Sequence, residues 1–476
     1  MNHENSVTKN PLGTEKIGKL MLQFSIPCIM SLLVSSLYNI VDQIFIGRGV
    51  GYLGNGATNV VFPITIIALA FALFIGDGCA AYLSLCQGCG DKKSANKSVG
   101  NAFFLLILFG ILFTVILFIG RDGFLRTFGV TEANRVYAVE YFSYIVIGIP
   151  FFVFGNGANS IIRADGSPKF AMFSTLIGAV INIILDPIAI FVFHMGMKGA
   201  ALATITGQIV TAALAVFYWM KKANTVKLSL SSFDLRGGIV RKFLPMGISS
   251  FLTQVSIVVV MAVMNNTLIT AGAASKYGAD IPLTVMGIVM KVFQIFISFV
   301  VGIAAGCQPI VGYNYGAGHY ARVKEILKKM LAAEVVVGLV GMICFEIFPL
   351  QITEIFGSES ALYNEFAVYS FRIYLATIIL CCIQKSASIF LQSLGKPILS
   401  TGLSLLRDFI LLVPSIILLG WKFGIMGPLF AAPIADAVSV IVTAFVLIKI
   451  WRELSQKDGS SYYTKVEKQG IIKNNI

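Results

Sequence analysis

The sequence predicts an all-α integral membrane protein, with twelve transmembrane helices in two six-helix repeats. Three observations carry this. The 476 residues are 57% hydrophobic and 12% charged, with a mean hydropathy of +0.84, about half the charged fraction of a soluble chain. Twelve apolar runs each reach the roughly 20 residues that cross a bilayer as helix. The second half of the chain repeats the first. No strand alternation runs long enough for a barrel, so the spans are helices.

In order, the spans cover about 20–47, 54–86, 99–120, 137–162, 169–193, 197–220, 243–270, 281–311, 326–349, 366–392, 398–421 and 426–450, each near the length that spans hydrocarbon. The domains that follow are a tail (1–19), an N-lobe (20–220), a linker (221–242), a C-lobe (243–451) and a second tail (452–476). The tail is polar and the first run is too long for the apolar region of a signal peptide, so no cleaved signal is expected. Cytoplasmic loops collect Lys and Arg. With the N-terminus inside, inner loops and tails hold 25 of them, including Lys92, Lys93, Lys97, Arg163, Lys169, six from Lys221 to Lys242 and six from Lys449 on. Outer loops hold 7: Arg48, Arg121, Arg126, Arg135, Lys198, Lys276 and Lys422. Both termini are therefore expected to be cytoplasmic. The net charge of +13 resides in these loops and does not point to nucleic acid.

The repeat is colinear. Pro27 in F-S-I-P-C-I-M-S-L answers Pro245 in F-L-P-M-G-I-S-S-F. G-C-G-D-K-K-S-A-N-K from Gly88 answers G-A-G-H-Y-A-R-V-K-E from Gly316. R-A-D-G-S-P-K answers L-Q-S-L-G-K-P, and G-M-K-G-A-A-L-A-T from Gly196 answers G-I-M-G-P-L-F-A-A from Gly424. Six spans is an even number, so the two copies share an orientation. Parallel repeats of this kind build two lobes around a central cavity.

An acid inside a bilayer is expensive and marks a functional site or a satisfied structural one. Asp42 lies in S-S-L-Y-N-I-V-D-Q-I-F-I-G-R, near the end of span 1. Taking about 1.5 Å of rise per residue, Asp42, Asp186 of span 5 and Thr204 of span 6 share a level in the outer half of the N-lobe. Asn182 precedes Asp186 by one helical turn and shares its face. Pro187 should loosen the backbone ladder beside them. Two carboxyls, an amide, a hydroxyl and freed carbonyls suit Na⁺ or a shared proton. Tyr38 and Asn39, one turn before Asp42, are candidate neighbours. The competing reading is that each acid is a structural hydrogen-bond partner.

The C-lobe carries Lys291, Arg372, Lys385, Arg407, Asp408 and Asp436 in or at the edges of spans. Lys385, Arg407 and Asp408 fall at one level. An ion-pair cluster is the simpler reading, and a gate or substrate contact the alternative. Prolines within many spans and 45 glycines suit helices that kink and pack closely. Nothing reads as an enzyme. There is no Walker A sequence, and His3, His194 and His319 are scattered. Most of the eight cysteines lie inside apolar runs, and Cys86-x-x-Cys89 has no second pair or nearby His to complete a metal site.

Y-N-I-V-D-Q-I-F-I-G in span 1, R-A-D-G-S-P-K-F-A-M after span 4, N-I-I-L-D-P-I in span 5 and Q-P-I-V-G-Y-N-Y-G-A-G ending span 8 together resemble the MATE family of multidrug and toxin extruders. The resemblance covers about residues 12–455, and the last segment is most similar to the MepA-like bacterial branch. It implies a V-shaped pair of lobes in the plasma membrane. It further implies export of cationic or amphipathic drug-like compounds by exchange with H⁺ or Na⁺, with no cofactor besides that ion. A monomer is expected. Residue by residue, Asp42 matches the family's span 1 acid, Asn182 and Asp186 its N-x-x-x-D, and Thr204 its span 6 hydroxyl. The NorM-like branch carries acids early in span 7 and in span 10, where this chain has Thr253, Gln254 and Lys385. That departure places coupling in the N-lobe. The runner-up is a flippase or exporter of the wider MOP superfamily, moving a lipid-linked or anionic substrate past Lys291, Lys385 and Arg407.

Overall fold

The computed structural model describes residues 10–235, 237–355 and 360–473, with side chains as far as Asp458 except at Leu230. Of the residues used above, His3, Lys9 and Arg236 lie outside the described residues, as do the ends of both expected tails. Among the described residues there are helices and no strands.

The first nine spans are single helices: α1 (Ile17–Gly49), α2 (Tyr52–Cys89), α3 (Lys92–Ile119), α4 (Arg135–Ala164), α5 (Pro168–Pro187), α6 (Gly196–Lys221), α7 (Gly237–Ala273), α8 (Asp280–Gly316) and α9 (Tyr320–Ile347). Span 10 is broken: Ala361–Tyr374 and Ile378–Ser393 meet at 48° and together form α10. Spans 11 and 12 run on as one 62-residue helical stretch, Pro397–Asp458. A straight helix of that length would measure about 93 Å, some three times a bilayer core. Instead the chain turns at Gly424, where φ is +63°. The helix before the turn, α11 (Pro397–Leu405, Leu406–Leu412 and Val413–Phe423), packs along α12 (Gly427–Lys473). Counting these as two spans gives the twelve expected from the sequence.

The duplication is visible in the turns. Gly51, Gly90, Gly166 and Gly196 have positive φ, and Gly278, Gly318, Gly395 and Gly424 repeat the conformation 227 to 229 residues later. Such turns favour glycine, which has no Cβ to clash. Each half also carries a π turn in its fifth span, at Ile188–Val192 directly after Pro187 and at Leu406–Leu412. Wide turns of this kind leave carbonyls without their usual helical partner and recur at functional sites.

Two cores follow the two repeats. One runs from Ile46 to Phe243 and the other from Val260 to Ala435. A third joins Leu20 and Phe24, in the first turns of α1, to Cys307, Met330, Phe390 and Ile450. The start of α1 is thus embedded in the second lobe, while its end, at Ile46, belongs to the first. Because Leu20 and Ile450 share this core, the start of α1 and the Ile450 turn of α12 lie on one face of the molecule, the terminal face.

The lobes close on each other at that face. Here α8 meets α1 and α7 meets α2 through glycines that let backbones touch. A Cβ on Gly247 would fall 1.7 Å from the Phe74 carbonyl oxygen, and one on Gly306 would fall 2.5 Å from the Ser25 Cα. Ser298, Gly302 and Gly306 form the stripe of α8 that meets Ser36, Ile29 and Ser25. At helical spacing the same stripe continues to Gln294 and Lys291, which are exposed. The cleft between the lobes therefore opens away from the terminal face.

Candidate functional site

Four helices of the first lobe bring the N-lobe acids together. Asp42 comes from α1, Asn182 and Asp186 from α5, Thr204 from α6 and Tyr141 from α4. Asp42, Asn182 and Asp186 are buried, with Asp186 fully enclosed. The Asn182 amide donates to Thr204 Oγ1 at 3.3 Å, which fixes α5 against α6 at this level. The carboxyls of Asp42 and Asp186 adjoin, and Tyr141 stands beside Thr204. Among the described residues one oxygen of Asp42, both of Asp186 and the Asn182 carbonyl oxygen have no hydrogen-bond donor. Among the described residues no Lys, Arg or His pairs with either acid.

This arrangement has a direct chemical reading. An ionised carboxylate only accepts hydrogen bonds, so two of them face to face repel and satisfy neither. A proton placed on one turns the pair into donor and acceptor. A cation between them would find Asp42, Asp186, Asn182 and Thr204 oxygens within one pocket, next to the loosened backbone after Pro187. Among the described residues no group of three His, Cys, Asp or Glu side chains is placed to hold a metal ion. Of the two candidate neighbours, Tyr38 is half-buried near both acids. Asn39 is exposed, and its amide is donated to the Ser35 carbonyl of its own helix at 2.7 Å.

The C-lobe residues make a closed network. Lys385 Nζ lies 2.8 Å from Asp408 Oδ2, Arg407 Nη1 2.6 Å from Asp408 Oδ1, and Arg407 Nε 2.8 Å from Asp436 Oδ1. Ser256 donates to Asp408 and Thr377, at the bend of α10, donates to Asp436, both at 3.0 Å. Two cations face two anions and all four are largely enclosed. This is the ion-pair arrangement, with Arg407 and Asp408 buried and Lys385 half-buried. The Cys86-x-x-Cys89 pair lies on the last turn of α2, with Cys86 buried and Cys89 exposed.

One family model, described as MatE, matches the chain twice in tandem, over residues 27–188 and 254–417. The chain belongs to the MATE family. One match falls in each half and covers most of its first five spans. This MATE protein is 23% identical to the multidrug export protein MepA of Staphylococcus saprophyticus subsp. saprophyticus, over 90% of this chain and 93% of the relative. It is also 23% identical to MepA of Staphylococcus aureus strain N315, over 93% and 96%. Among solved structures it resembles a complex of the MATE multidrug transporter DinF-BH, at 32% identity over 92% and 96% of the two chains and a TM-score of 0.85. A MATE protein in its straight conformation gives a TM-score of 0.86 at 24% identity, over 94% and 98%. The family consists of membrane transporters and not enzymes, and the MepA-like resemblance stands.

Sequence reasoning missed three polar residues of this MATE protein. Tyr141 carried no signal, being one aromatic among many. Asp77 and Glu334 did carry one, because each is an acid in the middle of an apolar run, in I-G-D-G-C and A-A-E-V-V. Asp77 of α2 accepts from Ser250 of α7 at 2.9 Å and lies 3.8 Å from Arg163 of α4. Gln392 of α10 donates to Ser250 at 3.2 Å and to the Met246 carbonyl at 2.7 Å. Asp77 therefore latches the two lobes near the terminal face. Glu334 corrects the inventory of the second lobe, where the sequence reading found no acid fit for coupling. It is fully buried in α9.

Proposed function

We propose that this MATE protein is a secondary multidrug exporter of the plasma membrane, exchanging amphipathic, cationic small molecules for H⁺ or Na⁺ at Asp42 and Asp186. The observation that carries this is the pair of adjoining buried carboxyls with no protein cation between them. At an effective dielectric of about 20, two like charges about 4 Å apart repel by roughly 4 kcal/mol, close to a thousandfold in an equilibrium constant. A proton or Na⁺ removes that repulsion and draws α1 onto α5. The start of α1 is embedded in the second lobe, so a movement of α1 at Asp42 is felt across the cleft. Ion occupancy can then shift the balance between two lobe arrangements, which is all that coupling requires. The Lys and Arg count puts the terminal face in the cytoplasm, so the open cleft would receive the ion from outside. The names of the MepA relatives and of DinF-BH support a drug-like substrate. One chain forms the whole cleft, so a monomer suffices.

The reading for an anionic or lipid-linked substrate rested on Lys291, Lys385 and Arg407. The last two are neutralised by Asp408 and Asp436, which leaves Lys291 of that set. Reconstituted vesicles test the proposal, with efflux of the cationic dye ethidium measured under a pH gradient alone and then a Na⁺ gradient alone. One gradient should drive efflux in the wild type, and Asp42→Asn should reduce it by an order of magnitude or more at equal protein level. Undiminished efflux by that variant would overturn the assignment.

A further inference from the structure

We propose that Glu334 is a second proton-binding site, located in the second lobe and exposed to water only when the terminal-face seam parts. This goes beyond the N-lobe coupling site and does not depend on it.

Glu334 lies on the stripe of α9 that packs between α8 and α10. A Cβ on Gly338, one turn along, would sit 2.9 Å from Ile379 of α10, and one on Gly341 would meet Phe296 of α8 at 2.3 Å. Both carboxyl oxygens of Glu334 are buried with no hydrogen-bond partner, and so is the hydroxyl of Ser386 on α10, which faces them. The titratable groups within electrostatic reach of the carboxyl are the thiols of Cys307 on α8 and Cys382 on α10. Among the described residues no Lys, Arg or His pairs with it. An ionised carboxylate offers about four acceptor positions, and this wall supplies one hydroxyl. A hard cation such as Na⁺ wants several more oxygens than this hydroxyl. A proton fits: the neutral acid and Ser386 can donate and accept between themselves, so nothing buried remains unpaired.

The position gives the site a route to water. Cys307, within electrostatic reach of Glu334, follows Gly306, where a Cβ would fall 2.5 Å from the Ser25 Cα, and Ser25 donates to the Ile303 carbonyl across the α1–α8 seam at 3.3 Å. With the seam closed, the carboxyl holds its proton. When α1 and α8 part, water reaches it, the O–H bond breaks toward that water and the carboxylate keeps the electron pair, with Ser386 donating to it. The first lobe has no counterpart, since the equivalent position in span 3 is Leu106.

Infrared difference spectroscopy on the full-length protein in lipid nanodiscs tests this, comparing neutral with alkaline pH. The Asp42→Asn/Asp186→Asn double variant removes the N-lobe acids, so a protonated-carboxyl band lost on alkalinisation in that background must come from elsewhere. That band should persist in the double variant and disappear when Glu334→Gln is added. Should the double variant not fold, the single Glu334→Gln variant against wild type carries the same comparison. The neutral amide preserves packing and can still bond to Ser386, so a purely structural Glu334 would give wild-type thermal stability and an unchanged pH profile of efflux. A proton site would lose one titrating proton per chain and flatten that profile. A Glu334 band that ignores pH, or a variant with unchanged titration and pH profile, overturns the proposal.

Discussion

The two lobes of this MATE protein share a backbone and differ in charge compensation. Each places a π turn in its fifth span and buried carboxyls beside it. In the second lobe Asp408 and Asp436 are held by Lys385 and Arg407, and one hydroxyl donates to each. In the first lobe Asp42 and Asp186 face each other with no such cation. A neutralised network has little reason to change with pH or ligand, whereas an unneutralised pair invites a proton or ion. Duplication supplied the same scaffold twice, and Lys385 and Arg407 neutralise the carboxyls that the second lobe places on it.

The largest effect that would break this comparison comes from Arg407. Arg407→Ala strands Asp436 and half of Asp408 in a low dielectric, and removing one partner of a buried pair costs about 3–5 kcal/mol. Asp42→Asn removes a charge that already lacks a partner and should leave the thermal unfolding temperature at or above that of the wild type. If the two variants unfold alike, the first lobe is as compensated as the second.

A smaller effect sharpens how the lobes communicate. Ser250→Ala deletes a hydrogen bond between α2 and α7 and should weaken the closed seam by about 1 kcal/mol, roughly fivefold in the closed-to-open ratio. Spin-label distances across the terminal face should show the more open population rising, while the Asp42 and Asp186 site is untouched. An unchanged distance distribution would mean that Asp77 serves the first lobe alone.

The smallest prediction compares equivalent turns. Asp91 caps α3 by accepting from the Ser94 amide at 3.0 Å, where the second lobe has His319. The Ser94 hydrogen bonds hold the Asp91 carboxyl below the usual carboxylate range. A group depressed in the folded state contributes stability that is present above its unfolded pKa and lost as pH falls through the folded one. Asp91→Ala should therefore cost about 1 kcal/mol near neutral pH, and progressively less on acidification. A loss that stays constant with pH would remove the ionised cap from the account. Thermal unfolding against pH measures it.

Much of the candidate site was legible because a bilayer makes an acid conspicuous. Asp42 and Asp186 stood out in apolar runs, and helix rise alone put them at one level with Thr204. The break in α10 was not legible, because Leu375, Ala376 and Thr377 contain no proline or glycine to announce a 48° bend. Asp436 could be placed in a span, but its pairing with Arg407 required knowing how α12 lies on α11. Asp77 and Glu334 were visible by the rule that exposed Asp42, but each sits in a run long and apolar enough to pass as an ordinary span.

The sequence by itself determined the class, the number of spans, the duplication and the level of the N-lobe acids. Each of these follows from hydrocarbon thickness, helix rise and the cost of a buried charge, which act locally along the chain. Only the tertiary structure decided which acids are neutralised, that α1 begins in one lobe and ends in the other, and that Glu334 is enclosed with the Ser386 hydroxyl facing it. Those facts depend on which helix faces meet, and the pattern within any one helix leaves that open.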